Sequence, residues 1–360
     1  MGKLFRAGIV GCGFIANKKH LPALAKIRHR IELVAFCDLI EERAQAACAE
    51  YGAQGAAVYT DYRRLLELDL DIVYVLTPND MHSEITVAAL NAGKHVMCEK
   101  PMALNTEQAQ AMLDASRRTG RRLYIGYQYR YQNDSLYMRE LARSGDLGEI
   151  YMAQANAVRR RGVPNWGVFL DKNRQGGGAL IDIGTHALDM TMWMMDNHRP
   201  KAVLGKVYGK LGTSCPDGNR FGPWDPKTFD VEDSAFAQIV MENGATIYLR
   251  ASWALNCLDT REQQVTLCGT LAGADMDDGV RVNGVRHGLL YEEKPDLNPG
   301  SPFDSEQGIT PADREARGWL DTLEFGREQF VTPEQAIVVT KILEAIYKSS
   351  DTGKAVYFED

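Results

Sequence analysis

Residues 5–16 read Phe-Arg-Ala-Gly-Ile-Val-Gly-Cys-Gly-Phe-Ile-Ala. An apolar run of strand length meets glycines at 11 and 13 and a small residue at 16, and a helical pattern follows. This is GxGxxA in a strand–turn–helix setting, the variant of the dinucleotide fingerprint. Gly11 permits the tight turn. Gly13 lets a pyrophosphate approach the main chain, and Ala16 lets helix pack on strand. Gly11, Gly13, Phe14 and Ile15 are the expected phosphate-side contacts, because a helix N-terminus offers free N–H groups and a favourable dipole to an anion.

The pattern extends outward. Residues 31–37 read as a second strand ended by Asp38, close to the roughly 20-residue separation at which an acid meets the adenosine ribose. A carboxylate there accepts from both ribose hydroxyls and repels a 2′-phosphate, and no arginine follows immediately. NAD is therefore expected over NADP. Asp38 also reads as an N-cap for a helix starting near Glu41. Helices over 41–51, 62–68, 82–92 and 106–120 alternate with strands over 57–59, 71–76, 94–98 and 122–127. Such alternation predicts a parallel, doubly wound sheet with ligands at the strand ends. Thr77-Pro78-Asn79 and Glu99-Lys100-Pro101 stand at two of those ends. Lys100 is directed by Pro101, which restricts it to extended geometry, and could polarise a hydroxyl or a carbonyl; it also reads as a solvated lysine. His82 reads as a loop-orienting residue and His95 as structural.

A second glycine-rich stretch runs from 176 to 189, GGGALIDIGTHALD. The glycines read as a loop that lets a ligand approach. Asp182, His186 and Asp189 then fall at i, i+4 and i+7 on one helical face. That pattern fits an acid/base pair, and equally a buried histidine satisfied by a carboxylate. The preceding segment, 159–175, is polar and aromatic. Trp166 with Asn165 and Lys172 offers a stacking face and hydrogen-bonding groups, as a sugar ring requires, or is a lid whose tryptophan only packs. Arg159, Arg160 and Arg161 form a basic cluster sized for one anionic group or an interface. Downstream, short strands over 201–208, 234–241, 246–253, 263–268, 279–282 and 286–291 follow in series, which predicts an antiparallel sheet. Long loops are expected over 212–230 and 294–311, and helices over 312–327 and 333–350.

The 360 residues, 45% hydrophobic and 25% charged, suffice for two domains. A net charge of -7 and no basic stripe argue against a nucleic-acid partner. No apolar run reaches membrane-spanning length. Seven scattered cysteines without CxxC spacing, and no secretory pattern, give a cytoplasmic expectation. Asp182, His186 and Asp189 could be read as metal ligands, but no metal is expected.

GxGxxA, Glu99-Lys100-Pro101 and the set Gly177-Gly178, Asp182, His186 together resemble the Gfo/Idh/MocA oxidoreductases, the family of glucose–fructose oxidoreductase and inositol dehydrogenase, over essentially the whole chain. The resemblance implies a Rossmann NAD-binding domain over 1–128. It implies an α+β substrate domain over 129–360, whose large, mostly antiparallel open sheet forms a homo-oligomer interface. It implies catalytic roles for Lys100, Asp182 and His186. Thr77, Asn79, His82, Glu99 and Lys100 would lie along the cofactor, and Arg160, Asn165 and Trp166 along the substrate. The implied activity is hydride transfer between NAD and a ring hydroxyl of a sugar or glycoside, with the 3-hydroxyl favoured. Inositol dehydrogenation, redox-neutral glycoside cleavage with recycled NAD, and a non-catalytic NAD sensor are the alternatives.

Overall fold

The computed structural model describes residues 2–297 and 308–358. They group into two compact units, one within Met1–Gln128 and Gly308–Ile337, the other within Tyr129–Gln307 and Val338–Asp360.

In the first unit, strands β1 (Phe5–Val10), β2 (Ile31–Cys37), β3 (Ala57–Tyr59), β4 (Ile72–Val75), β5 (His95–Cys98) and β6 (Leu123–Ile125) form one sheet in the order β3-β2-β1-β4-β5-β6. Every pair is parallel. This is the doubly wound order expected of a dinucleotide fold. Helices cover both faces of such a sheet, so its central strands are apolar throughout: all four residues of β4, Ile-Val-Tyr-Val, are buried.

The sequence reading assigned everything after 128 to the second domain, yet Gly308–Ile337 clusters with the first. Ion pairs explain the return. Helix Pro311–Phe325 places Asp313 2.7 Å from Lys26, Glu315 2.9 Å from Lys19, and Asp321 and Glu324 2.8 and 2.9 Å from Arg30. Trp319 and Leu320 of the same helix are fully buried. No local pattern in the sequence announces partners three hundred residues upstream.

The second unit is built on strands β7 (Ile150–Val158), β8 (Pro200–Tyr208), β9 (Ser234–Met241), β10 (Thr246–Ser252), β11 (Glu262–Gly269), β12 (Ala272–Asp275), β13 (Arg281–Arg286), β14 (Leu289–Glu293) and β15 (Val356–Tyr357), in the order β14-β13-β12-β11-β7-β10-β9-β8-β15. Only β7 and β10 pair in parallel. Helix Thr185–Met194, buried along its whole length, packs on β7 and β11. The opposite face, carrying Leu204, Tyr208, Gln238 and Tyr248, is exposed.

Parts of this sheet depart from expectation. Strand β12, Ala-Gly-Ala-Asp, was not foreseen, since its residues have little strand propensity and it exists through pairing with β11 and β13. The β13–β14 hairpin turns at His287-Gly288, both with positive φ (54° and 79°), so each strand lies later than expected. Two consecutive positive φ values are the mark of a tight two-residue hairpin turn. The excursion expected at 294–311 lies largely outside the described residues. No helix among the described residues is long and apolar enough to cross a membrane.

Candidate active site

The first unit presents the strand ends. Gly11 has φ +94°, and a Cβ there would stand 2.5 Å from the carbonyl oxygen of Leu76, so only glycine fits. At Gly13 a Cβ would meet nothing within 4 Å, which leaves the main chain open to approach. Phe14 is exposed and Ile15 half-buried where the chain enters the helical stretch from Ala16, itself fully buried against the sheet. Asp38 accepts from the Cys12 N–H at 2.8 Å and the Ile40 N–H at 2.9 Å. The carboxylate is thereby drawn against the glycine turn with lone pairs to spare. The N-cap position of helix Glu41–Tyr51 is Ile40, so Asp38 does not cap it.

At the end of β4, the Thr77 hydroxyl oxygen is buried without a hydrogen-bond partner among the described residues. Asn79 is buried at the start of a short turn, Asn79–Met81. An open glycine, an anchored ribose-type carboxylate and an orphaned buried hydroxyl fit a dinucleotide. Gly11, Gly13, Asp38 and Thr77 are the residues that would hold it.

Two residues counted among the cofactor contacts have other engagements. His82 is fully buried, with Nδ1 2.7 Å from the Pro101 carbonyl and Nε2 3.0 Å from the Thr77 carbonyl. Burial holds its pKa below the usual histidine range although both carbonyls favour protonation. A neutral ring donates to one of the two carbonyls, and the tautomer sets which. His82 therefore ties the end of β4 to the end of β5, the loop-orienting role read from its position.

Glu99 is buried too. Its Oε1 receives Lys19 Nζ at 2.6 Å and His20 Nε2 at 2.7 Å, and its Oε2 accepts the Lys100 main-chain N–H at 3.0 Å. Burial alone would raise this carboxyl; Lys19 and His20 outweigh it and hold Glu99 well below the usual carboxylate range. Glu99 thus fixes the backbone of the half-buried Lys100 from inside the protein. Lys19 also pairs with Glu315, whose carboxyl is pushed up to about 7 by burial and the nearby Glu99, against the pull of Lys19. The Lys100–Pro101 bond is cis. His95 accepts the Arg122 N–H at 2.9 Å, a structural contact.

In the second unit, the glycine loop serves the protein itself. A Cβ on Gly177 would lie 2.0 Å from the Tyr347 hydroxyl, and one on Gly178 1.9 Å from the Glu232 carbonyl oxygen. These neighbours by themselves require glycine at both positions. Glu232, buried and missed in the sequence, receives the N–H groups of Gly178 and Leu180 at 2.8 and 2.9 Å and the Tyr347 hydroxyl at 2.9 Å. It caps the segment that carries Asp182.

That segment opens with a π turn, Leu180–Gly184, before the α-helix Thr185–Met194. The wider turn breaks the single-face spacing expected of three residues on one α-helix, and each meets a different partner. Asp182 accepts from Trp253 Nε1 at 3.0 Å. His186 lies edge-on to the Tyr129 ring at 4.7 Å between centroids. Asp189 forms a two-pronged pair with Arg130, at 2.9 and 2.6 Å, with both side chains essentially inaccessible. Arg130 was not singled out in the sequence, since nothing local links it to Asp189. Asp182 and His186 stand one turn apart and are both buried.

Of the expected substrate contacts, Arg160 is exposed and Trp166 is 40% exposed. Asn165 is engaged elsewhere: its Nδ2 donates to the Phe221 carbonyl at 2.7 Å and the Pro223 carbonyl at 3.0 Å. Its amide hydrogens thereby pin a loop, and the side chain is otherwise exposed. Among the described residues no group of three His, Cys, Asp or Glu side chains could hold a metal ion.

Comparison with known proteins identifies the family. Residues 5–127 match the family model for the GFO/IDH/MocA oxidoreductase family with its NAD-binding Rossmann fold, and residues 135–274 match the C-terminal domain model of the same family. The chain belongs to the Gfo/Idh/MocA family and is an NAD-dependent oxidoreductase.

It is 38% identical to the D-glucoside 3-dehydrogenase of Escherichia coli K12 over 355 residues, covering 98% of this chain and 97% of that protein. It is 31% identical to the inositol 2-dehydrogenase of Salmonella typhimurium over 271 residues, covering 75% of each. Among solved structures, the aldose–aldose oxidoreductase of Caulobacter crescentus, complexed with glycerol, superposes with a TM-score of 0.81 at 25% identity over 99% of this chain and 100% of that one. A levoglucosan dehydrogenase in complex with NADH shares the fold at a TM-score of 0.84 and 22% identity, over 99% of each chain.

Proposed function

We propose that this protein oxidises the 3-hydroxyl of a D-glucoside to a ketone, with NAD as the hydride acceptor. The observation that carries the reading is the anchored Asp182 beside His186, on a segment held by Glu232, in a chain related over nearly its whole length to a D-glucoside 3-dehydrogenase. When bound, NAD supplies the electron sink. Removing a carbinol hydride needs a base for the hydroxyl proton and a donor for the developing alkoxide. His186 takes the proton. Asp182, kept in place by Trp253, accepts from a substrate hydroxyl and orients it. The Lys100 ammonium group donates to the reacting oxygen, its main chain fixed by Glu99. Arg160 and Trp166 contact the substrate.

The test is to supply NAD and methyl D-glucopyranoside, follow reduced-nicotinamide absorbance and locate the new carbonyl by NMR. A ketone at C3 with matching NADH supports the reading, and no NADH with any glucoside or sugar overturns it.

We also place the protein in the cytoplasm, a reading supported by seven free cysteines. We propose that a second copy covers the open sheet face at Leu204, Tyr208 and Tyr248. Exposed aromatic and aliphatic side chains on neighbouring strands support that assignment. Light scattering on Tyr248→Asp, expected to lower the assembly size, tests it.

A further inference from the structure

Four aromatic rings run outward from the candidate catalytic carboxylate within the second unit. Trp253, fully buried, donates its Nε1–H to Asp182. Phe169 meets Trp253 edge-on at 6.3 Å between centroids, Trp166 meets Phe169 at 5.8 Å, and Phe221 meets Trp166 at 5.0 Å with the two planes perpendicular. The inner ring is sealed, whereas the outer two, Trp166 and Phe221, are 40% and 37% exposed.

The two loops that carry them are locked together. Asn219 exchanges hydrogen bonds with Val163, receiving its N–H and donating to its carbonyl, each at 2.9 Å. Asn165 holds the carbonyls of Phe221 and Pro223. One side of Phe221 is covered by the Arg220 guanidinium at 4.7 Å, and Arg220 is itself paired with Glu262 at 3.2 Å. Apolar rings left open on a cross-braced pair of loops form a preorganised surface, and a ligand does not have to order it on binding.

A sugar ring stacks its C–H face on one aromatic ring, and two exposed rings offer more apolar surface than it covers. A glycoside carries a further group at C1. We infer that Trp166 and Phe221 form the aglycone subsite, and that the preferred substrates are D-glucosides whose aglycone is an aromatic ring. The inference rests on the proposed glucoside 3-dehydrogenase activity and specifies its substrate class. Aromatic pairs prefer offset-stacked or edge-to-face contact, and the exposed parts of Trp166 and Phe221 offer an incoming ring aromatic surface to meet.

Two readouts test this, one of which needs no turnover. Of the five tryptophans, Trp193, Trp224, Trp253 and Trp319 are buried, so acrylamide quenching reports chiefly on Trp166. Phenyl D-glucopyranoside is expected to protect the fluorescence of the NAD-loaded protein from quenching, and methyl D-glucopyranoside to protect it much less. In steady-state assays, Trp166→Ala and Phe221→Ala are each expected to lower kcat/KM for phenyl glucoside about tenfold relative to that for methyl glucoside, while Trp166→Phe largely restores the ratio.

Equal losses for both glucosides, an unchanged ratio, or no difference in protection would overturn the subsite. Preference for a disaccharide over the phenyl glucoside would also overturn it and assign the surface to a second sugar. Protection by phenyl glucoside without any NADH formation would keep the subsite and overturn the dehydrogenase reading instead.

Discussion

The two units bury charge in different ways. In the first, Lys19, His20, Glu99 and Glu315 share one interior cluster in which a lysine serves two carboxylates and one carboxyl, Glu315, is pushed up to about 7. In the second, Arg130 and Asp189 close on each other in a two-pronged pair, and Glu232 is answered by two main-chain N–H groups and a tyrosine hydroxyl. The first cluster is uneven and can gain or lose a proton near neutrality. The second arrangements are matched donor for acceptor. The uneven cluster lies directly behind Lys100, through the Glu99 carboxylate that receives its N–H. The matched ones secure the frame of the helix that presents Asp182 and His186. The comparison implies a tunable support beneath the lysine and a rigid one beneath the aspartate and histidine.

The largest effect should come from removing the chemistry on either side of the comparison. Lys100→Ala and His186→Ala are each expected to lower kcat/KM for a D-glucoside by about 10³–10⁴-fold. NADH affinity, read by fluorescence titration, should change little for His186→Ala. A loss confined to one of the two would remove the other from the proposed mechanism.

Next is rigidity. Asp189→Ala leaves the Arg130 charge buried without its counter-ion and should cost roughly 3–5 kcal/mol in a denaturant titration. A loss under 1 kcal/mol would show that Arg130 is not held as a charged partner.

A smaller effect is expected at the ribose. Asp38→Ala should weaken NAD binding about tenfold and narrow the preference over NADP. Isothermal titration with both cofactors measures this.

The smallest effect belongs to the uneven cluster. The folded-state pKa of Glu315 is raised above the ordinary carboxylate value, so the folded protein holds this proton more tightly than the unfolded chain does. Stability is then lost as pH rises from about 4.5 through about 7. Glutamine mimics the protonated form at every pH. Glu315→Gln should match the native protein near pH 4.5 and become progressively the more stable of the two as pH rises to 8. Thermal melts at several pH values check the sign. A difference that does not vary with pH would mean that Glu315 stays charged throughout.

The sequence was most legible where the chemistry is local. GxGxxA, Asp38 and Glu99-Lys100-Pro101 each sit at a strand end, and periodicity places strand ends well. The parallel sheet and the antiparallel one follow from the same signal. What escaped was whatever depends on distant partners. Glu315 meets Lys19, Glu232 meets Gly178, and Arg130 meets Asp189 across gaps of 296, 54 and 59 residues. Nothing in a window of sequence marks such pairs. The glycines at 177 and 178 were ambiguous for a related reason: their close neighbours are Tyr347 and Glu232, and a run of glycines does not reveal what comes near. Asn165 likewise reads as a free amide until the 219–223 turn is folded against it.

The central claim is hydride removal from C3 of a glucoside under the joint action of Lys100, Asp182 and His186. The most direct measurement is NADH formation from methyl D-glucopyranoside and from the same compound carrying deuterium at C3. A ketone at C3, one NADH per ketone, and a rate lowered about two- to fivefold by deuterium at C3 but not at C2 are the predicted results. Release of aglycone without net NADH, or an isotope effect from another carbon, would contradict the account.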